Sequence, residues 1–341
     1  MVSDRGPNEE LFPVHLGILQ PGTIAPVNLY IRDESSSRYV LYRTAQTPFT
    51  ESVRQRLLER GVARLYLRST DKDAYDQYVE ENLITIVRDG LLPGEQASKA
   101  VYETSSRVME DLFDSPESGR NLQRARQVAK AVVLSVLKNP DTLWNMTSLA
   151  SHTYYTYTHS VHVAVLLVAA GKDMLGIGTE TMLERIGHGA ILHDVGKTRV
   201  PGDILYKPGS LTADEFELVK KHTLAGLSIV ERRQKVPATT ASIIRSHHER
   251  WDGRGYPDGL TGDRMRPIVR LSKIVDVYDA LTTARPYADA RTPFDALQLM
   301  LQMEGHFDKA MLRSFVKFLG PSEVRAQLLA EARRRLAGGR A

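Results

Sequence analysis

The chain has 341 residues, 42% apolar and 25% charged, with 45 basic side chains against 41 acidic ones. A net charge of +4 is too small to argue for nucleic-acid binding, and no apolar run reaches the roughly 18–20 residues of a membrane span. The absence of cysteine excludes thiolate metal sites, disulfides and cysteine nucleophiles, and with the polar, acidic start Met1–Glu10 it fits a cytoplasmic protein without a signal peptide.

The length points to two domains. Val27–Ile31, Tyr39–Tyr42 and Ala63–Leu67 read as short strands, and Thr50–Arg60 as a helix capped by Thr50 and stopped at Gly61. Residues 1–85 are therefore expected to form a small α+β domain of sensory or regulatory kind. Leu29–Arg32 and Tyr39–Arg43 look like packed strands rather than a pocket, and no phosphoacceptor constellation, Gly-rich phosphate loop or haem motif is present. From Asp71 onward the period is helical. Residues 86–143 read as a helical connector with two long amphipathic stretches, Glu95–Phe113 and Asn121–Lys138. Val128, Val132 and Val136 line one face of the second. That stripe reads as core packing; the alternative is a dimer or signalling helix, which would make the protein a homodimer through 95–138.

Residues 144–320 hold the histidine-bearing helices, punctuated by prolines. Two loop-rich stretches, 201–210 and 252–267, interrupt them, and the second is placed to form a lid or wall beside a site. Val161–Gly171 and Val132–Leu137 are too short to span a membrane and read as buried helix. Residues 321–341 read as a C-terminal helix with the basic tail Arg333-Arg334-Arg335. The expected class is mostly α: a helical bundle behind a small N-terminal α+β domain.

Eight of the ten histidines lie between His152 and His248. The lone His152, His162 and His188 read as core residues and are set aside. His193-Asp194 is different, because it ends the apolar helix Ala190-Ile191-Leu192. A carboxylate there is costly unless it is paired or bound to a cation. His247-His248 can reach one ion only near a helix end, since adjacent helical side chains point about 100° apart. Asp276 follows an apolar-rich helical start. A metal pair needs about seven or eight protein donors, so several helices must converge. With mixed His and Asp donors and no sulfur, iron, manganese, zinc, nickel or cobalt would suit such a site.

In order, His193-Asp194 with Lys197, Lys207–Thr212, His222, His247-His248-Glu249, Asp252-Gly253-Arg254-Gly255-Tyr256-Pro257, Asp276–Thr282 and Arg285-Pro286-Tyr287 resemble the HD-GYP family of bacterial cyclic di-GMP phosphodiesterases, a branch of the HD metal-dependent phosphohydrolases. The resemblance covers roughly residues 145–320. It implies an all-α HD-type bundle and two divalent metals, iron or manganese before zinc, nickel or cobalt. His159, His193, Asp194 and Asp276 would hold the first ion, with Asp194 bridging to the second, and His222, His247 and His248 would complete the second. Lys197 and Arg285 match positions that contact substrate phosphate, and Tyr256 belongs to the family's named loop. Cyclic di-GMP would be cut to pGpG and on to GMP, and a GGDEF-type cyclase would be a partner through the Gly-Tyr-Pro loop. Two departures matter. Tyr155 stands where some members carry a metal-binding glutamate, so two metals rather than three are expected. Ala288-Asp289-Ala290 stands where some carry a phosphate-binding lysine, leaving Arg285 or Arg291 to that task. The alternatives are an HD hydrolase acting on another nucleotide or cyclic dinucleotide, and a catalytically weak receptor or scaffold.

Overall fold

The computed structural model describes residues 10–33, 38–149, 155–283 and 290–320. The expected C-terminal helix and basic tail at 321–341 lie outside them. The chain divides into two compact units, Met1–Thr104 and Ser105–Ala341.

The first unit is built on four strands: β1 (Leu11–His15), β2 (Leu29–Asp33), β3 (Arg38–Arg43) and β4 (Arg64–Arg68). Their order is β1-β4-β2-β3, with β4 antiparallel to both β1 and β2, and β3 antiparallel to β2 at the edge. β4 shows the period-two alternation of a half-buried strand, with Leu65 and Leu67 inward and Arg64 and Arg68 outward. β1, which was not expected, is short and interrupted by Pro13. Proline cannot donate to a ladder, and it is tolerated here because β1 is an edge strand. β3 corrects one expectation. It is a strand, but Tyr39, Val40 and Leu41 are exposed rather than packed.

Helix α1 (Glu51–Glu59) starts where Thr50 accepts a hydrogen bond from the Val53 amide, and the chain leaves it through Gly61 at φ 73°. Helix α2 (Lys72–Asp89) buries Tyr75, Tyr78, Val79, Leu83, Ile86 and Val87 on one face. The Tyr78 hydroxyl accepts from the Gln20 amide and meets the Thr23 hydroxyl, so this buried phenol is satisfied.

Helix α3 (Gly94–Asp114) leads into the second unit, which holds α4 (Gly119–Lys138), α5 (Thr142–Leu149), α6 (Tyr155–Leu175), α7 (Glu180–Leu192), α8 (Gly202–Leu205), α9 (Ala213–Lys220), α10 (His222–Glu231), α11 (Ala238–Ser246), α12 (Pro267–Thr282), α13 (Pro293–Gln302) and α14 (Lys309–Phe318). Helix α6 packs on α7 and α12, and α4 and α11 flank α7. The valines at 128, 132 and 136 are buried in this core, so the stripe is packing and gives no support to a dimer. Residues 161–171 of α6 are buried throughout, the packing expected of a helix that is apolar all round. Among the described residues no helix is long and apolar enough to cross a membrane.

Candidate metal centre

Helix ends aim the predicted donors. α7 stops at Leu192, His193 caps it, and Asp194 leaves the helical path at φ −100°, ψ 0°. The chain then forms a tight 3-10 turn, Val195–Arg199, packed on the start of α10. Gly196 is required there. A Cβ at that position would lie 1.9 Å from the His222 carbonyl oxygen and 2.5 Å from the Gly226 nitrogen. His222 is the first residue of α10. α11 ends at Ser246, so His247 and His248 leave from a helix terminus and their rings come within 4.1 Å, as the need to share a site required.

The cluster has two halves that share Asp194. Its Oδ2 lies 3.4 Å from His193 Nε2 and 3.8 Å from His159 Nε2. Its Oδ1 lies 3.4 Å from His222 Nε2 and 3.8 Å from His247 Nε2. His159, His193 and Asp194 form one compact set of potential ligand atoms, and Asp194, His222, His247 and His248 form another. Asp276 stands between them. Its Oδ1 is 3.2 Å from His159 and 3.9 Å from His193, and its Oδ2 is 3.8 Å from His248 Nδ1.

The ring tautomers follow from second partners. Backbone carbonyls only accept, so the Nδ1 atoms of His193 (to Ala190 O, 2.6 Å), His222 (to Val219 O, 2.7 Å) and His247 (to Ile243 O and Ile244 O, each 3.1 Å) must carry the proton. Burial pushes His222 down to about 4 and His247 and His248 well below their usual range, so these rings are neutral. The Nε2 lone pairs of His222 and His247 therefore face each other across 3.3 Å with no proton to share. His193 Nε2 and Asp194 Oδ1 are buried without a hydrogen-bond partner. These four atoms converge as acceptors with no donor between them, the mark of a cation site. The surrounding field agrees. Burial opposes charge on His159, yet Asp276 and Asp279 on its two nitrogens push it up to about 9. Despite burial, Lys197 and the neighbouring histidines hold the Asp194 carboxyl well below the usual carboxylate range. The His/Asp donor set fits a divalent cation of the transition series.

Residues 175–311 match the family model described as the HD domain. Over these residues the chain is similar to the HD domain.

Among curated proteins the chain is similar to the cyclic di-GMP phosphodiesterase PA4108 of Pseudomonas aeruginosa, at 36% identity over 62% of this chain and 50% of that protein. It is 39% identical to the cyclic di-GMP phosphodiesterase response regulator RpfG of Xanthomonas campestris, over 42% of this chain and 37% of the other. It is 38% identical to the 3′3′-cGAMP-specific phosphodiesterase 2 of Vibrio cholerae, over 39% and 26%. The chain thus spans half or less of the length of these relatives. Among solved structures, Bd1817, an HDG"Y"P protein from Bdellovibrio bacteriovorus, covers 91% of this chain and 99% of its own at a TM-score of 0.60 and 20% identity, a likeness of fold.

The remaining predicted residues sit around the cluster. Lys197 Nζ lies 2.5 Å from Asp194 Oδ2, with part of its side chain open to solvent. Tyr256 stacks on His248 at 4.8 Å and 28°. Arg285 and the Arg-Pro-Tyr segment lie outside the described residues. Tyr155 is the first residue of α6, one turn before His159.

Sequence reasoning missed four contributors. Asp279 lies one turn after Asp276 on α12. It accepts from His159 Nδ1 at 2.6 Å and lies 3.2 Å from His162 Nδ1, so it orients the ring that points at the cluster. The signal was the i, i+3 pairing of His159 with His162 and of Asp276 with Asp279, two helix faces that read each other only once packed. Lys273, one turn before Asp276, places Nζ 3.5 Å from His248 Nδ1, and burial lowers its pKa. Glu249 is buried and accepts from the Asp258 and Leu260 amides at 2.7 and 2.9 Å. It ties down the Gly-Tyr-Pro loop, which Arg245 also grips through Asp258. Gly255 closes that loop against the chain, since a Cβ there would meet the Arg250 nitrogen at 2.3 Å.

The 252–261 loop is therefore a pinned wall beside the cluster. Glu249→Ala is expected to leave the part-buried Asp258 and Leu260 amides without their carboxylate acceptor, costing about 1 kcal/mol. The metals should stay while substrate KM rises. Faster hydrogen exchange at the Asp258 and Leu260 amides, with metal content unchanged, is the check; unaltered exchange would show that the loop holds itself.

Proposed function

We propose that this chain is a two-metal phosphodiesterase that hydrolyses cyclic di-GMP to pGpG and GMP. The observation that carries the reading is the division of Asp194 between two converging donor sets, one on each carboxylate oxygen. In this reading His159, His193, Asp194 and Asp276 hold one ion, and Asp194, His222, His247 and His248 hold the other, with iron or manganese favoured. Residues 1–85 serve as a regulatory module, 86–143 as connector and 144–320 as catalytic domain. The exposed Arg254 and Asp258 beside Tyr256 offer a docking rim for a GGDEF-type cyclase.

Two bound divalent ions supply an acidified water and neutralise the phosphate at the reacting centre. The chain does the rest. Burial keeps His222, His247 and His248 neutral and the cations around Asp194 keep its carboxyl ionised, so these donors are free of protons near neutral pH, whereas His159 would give up a proton as an ion binds. Asp279 and the carbonyls of Ala190, Val219, Ile243 and Ile244 fix the ring planes, so little reorganisation is needed during reaction. Lys197, at the edge of the cluster, is positioned to hold a phosphate oxygen and orient the diester for in-line attack. Arg285 has the same role in this reading. Tyr256 on the face of His248 forms an aromatic wall toward the ligand.

Lys197→Ala is expected to keep both metals and to slow turnover or weaken binding about 10- to 150-fold, the value of one charge-assisted hydrogen bond of about 1.5–3 kcal/mol. Unchanged kinetics would make Lys197 only a surface cation. The similarity to a 3′3′-cGAMP-specific enzyme favours a second reading, in which the same centre cuts a hybrid cyclic dinucleotide. Anaerobic purification, a metal count, and chromatography of cyclic di-GMP and 3′3′-cGAMP with Fe(II) or Mn(II) separate the two. Two metals with conversion of cyclic di-GMP supports the first. Conversion of 3′3′-cGAMP alone supports the second. Metal-loaded protein that binds cyclic di-GMP without turnover would make the chain a receptor or scaffold.

A further inference from the structure

A second polar cavity, about 370 Å³, opens in the helical unit away from the His/Asp cluster. Its walls come from α4, α7, the Gln234–Pro237 connection and the start of α11. Four cations line it, Arg126, Lys130, Arg185 and Lys235, against a single carboxylate, Glu184. Lys130 is the only one of these cations paired with that carboxylate, at 3.4 Å. Among the described residues Arg126, Arg185 and Lys235 have no acidic partner.

The floor is more telling than the rim. His188 is 6% exposed, and its Nε2 is buried without a hydrogen-bond partner. Gln234 Nε2, a pure donor, is likewise buried and unpartnered. Buried polar groups without partners cost free energy, so their presence in a cavity calls for a ligand that satisfies them. Burial and the nearby Arg126 push His188 down to about 4, so it is a neutral ring able to donate one proton. Guanidinium forks on the rim and amide and imidazole donors on the floor are the recognition chemistry of a multiply charged oxyanion. No Phe, Tyr or Trp side chain lines the cavity.

We infer that the cleft between α4, α7 and the α10–α11 connection is a binding site for a small phosphate-bearing ligand, separate from the metal centre. Three unpaired cations favour a dianionic phosphate over a monocarboxylate, and the volume admits a phosphate carrying a short polar body. The site has a direct line to the cluster. Thr181, Glu184, Arg185 and His188 occupy successive turns of α7, and the same helix ends in His193-Asp194.

The test is calorimetric titration of the full-length, metal-loaded chain with inorganic phosphate, and with succinate as the carboxylate arm. Wild type is compared with the double variant R126Q/R185Q and with K235Q, all exposed positions outside the catalytic machinery. Phosphate bound at the metal centre would be seen equally in all three proteins. The expected result is a saturable phosphate step in wild type that weakens at least tenfold in R126Q/R185Q and several-fold in K235Q, with metal content unchanged. Superimposable isotherms would overturn the site. Succinate binding more tightly than phosphate would overturn the ligand class.

Discussion

Asp194→Ala is expected to abolish both metal occupancy and turnover. Asp194 belongs to both donor sets, and its replacement leaves His159 and His193 on one side, and His222 and His247 on the other, without the carboxylate they share. It also leaves the Lys197 ammonium without its carboxylate partner. Two-metal centres supply several kcal/mol of charge stabilisation, so the loss in rate should exceed about a thousandfold. Metal content per chain together with chromatographic turnover measures it, and far-ultraviolet circular dichroism shows whether the helices persist. A folded variant that still carries two metals would remove the bridging role of Asp194.

Gly196→Ala is expected to do comparable damage through packing alone. The added methyl has no space, because its nearest neighbours are backbone atoms of His222 and Gly226 rather than pliable side chains. Overpacking a tight contact typically costs about 1–3 kcal/mol, and a clash with backbone belongs at the upper end or beyond. For a unit of this size that corresponds to a fall in Tm of roughly 6–12 °C. The first turn of α10 would have to move, carrying His222 away from Asp194. Metal retention should therefore drop with Tm, although no donor has been changed. Calorimetry with a metal count on the same preparation is the check, and a Tm within about 1 °C of wild type would show that the turn can yield.

These two substitutions mark different kinds of legibility. Asp194 was readable because a carboxylate at the end of an apolar helix has no cheap alternative to a cation or an ion pair. The helices were readable for the same local reason. α1 begins just after its cap Thr50 and α4 ends at Lys138, as periodicity and capping predict. The valine stripe was readable only in part. Its burial followed from its period, but whether it packed in its own chain or against a second copy depended on α6 and α7, which cover it. β1 was missed because a proline-containing edge strand carries little period-two signal, and β3 was placed correctly while its exposure was misjudged. Edge position is a property of the sheet rather than of the strand.

The ordered run of His, Asp, Lys and Gly residues by itself pointed to the resemblance, the helical setting and the donors to consider, because ligand chemistry and helix termini are local properties. The division of those donors about Asp194, which the family resemblance implied, depends on helices far apart in sequence packing together. Tertiary structure alone decided that Asp279 and His162 stand behind His159, that Glu249 pins the Gly-Tyr-Pro loop, and that His188 faces a cationic cleft instead of resting in core. Each of these depends on contacts between residues about 10 to 120 positions apart. Spacing within one helix specifies which side chains share a face, and only packing specifies what that face meets.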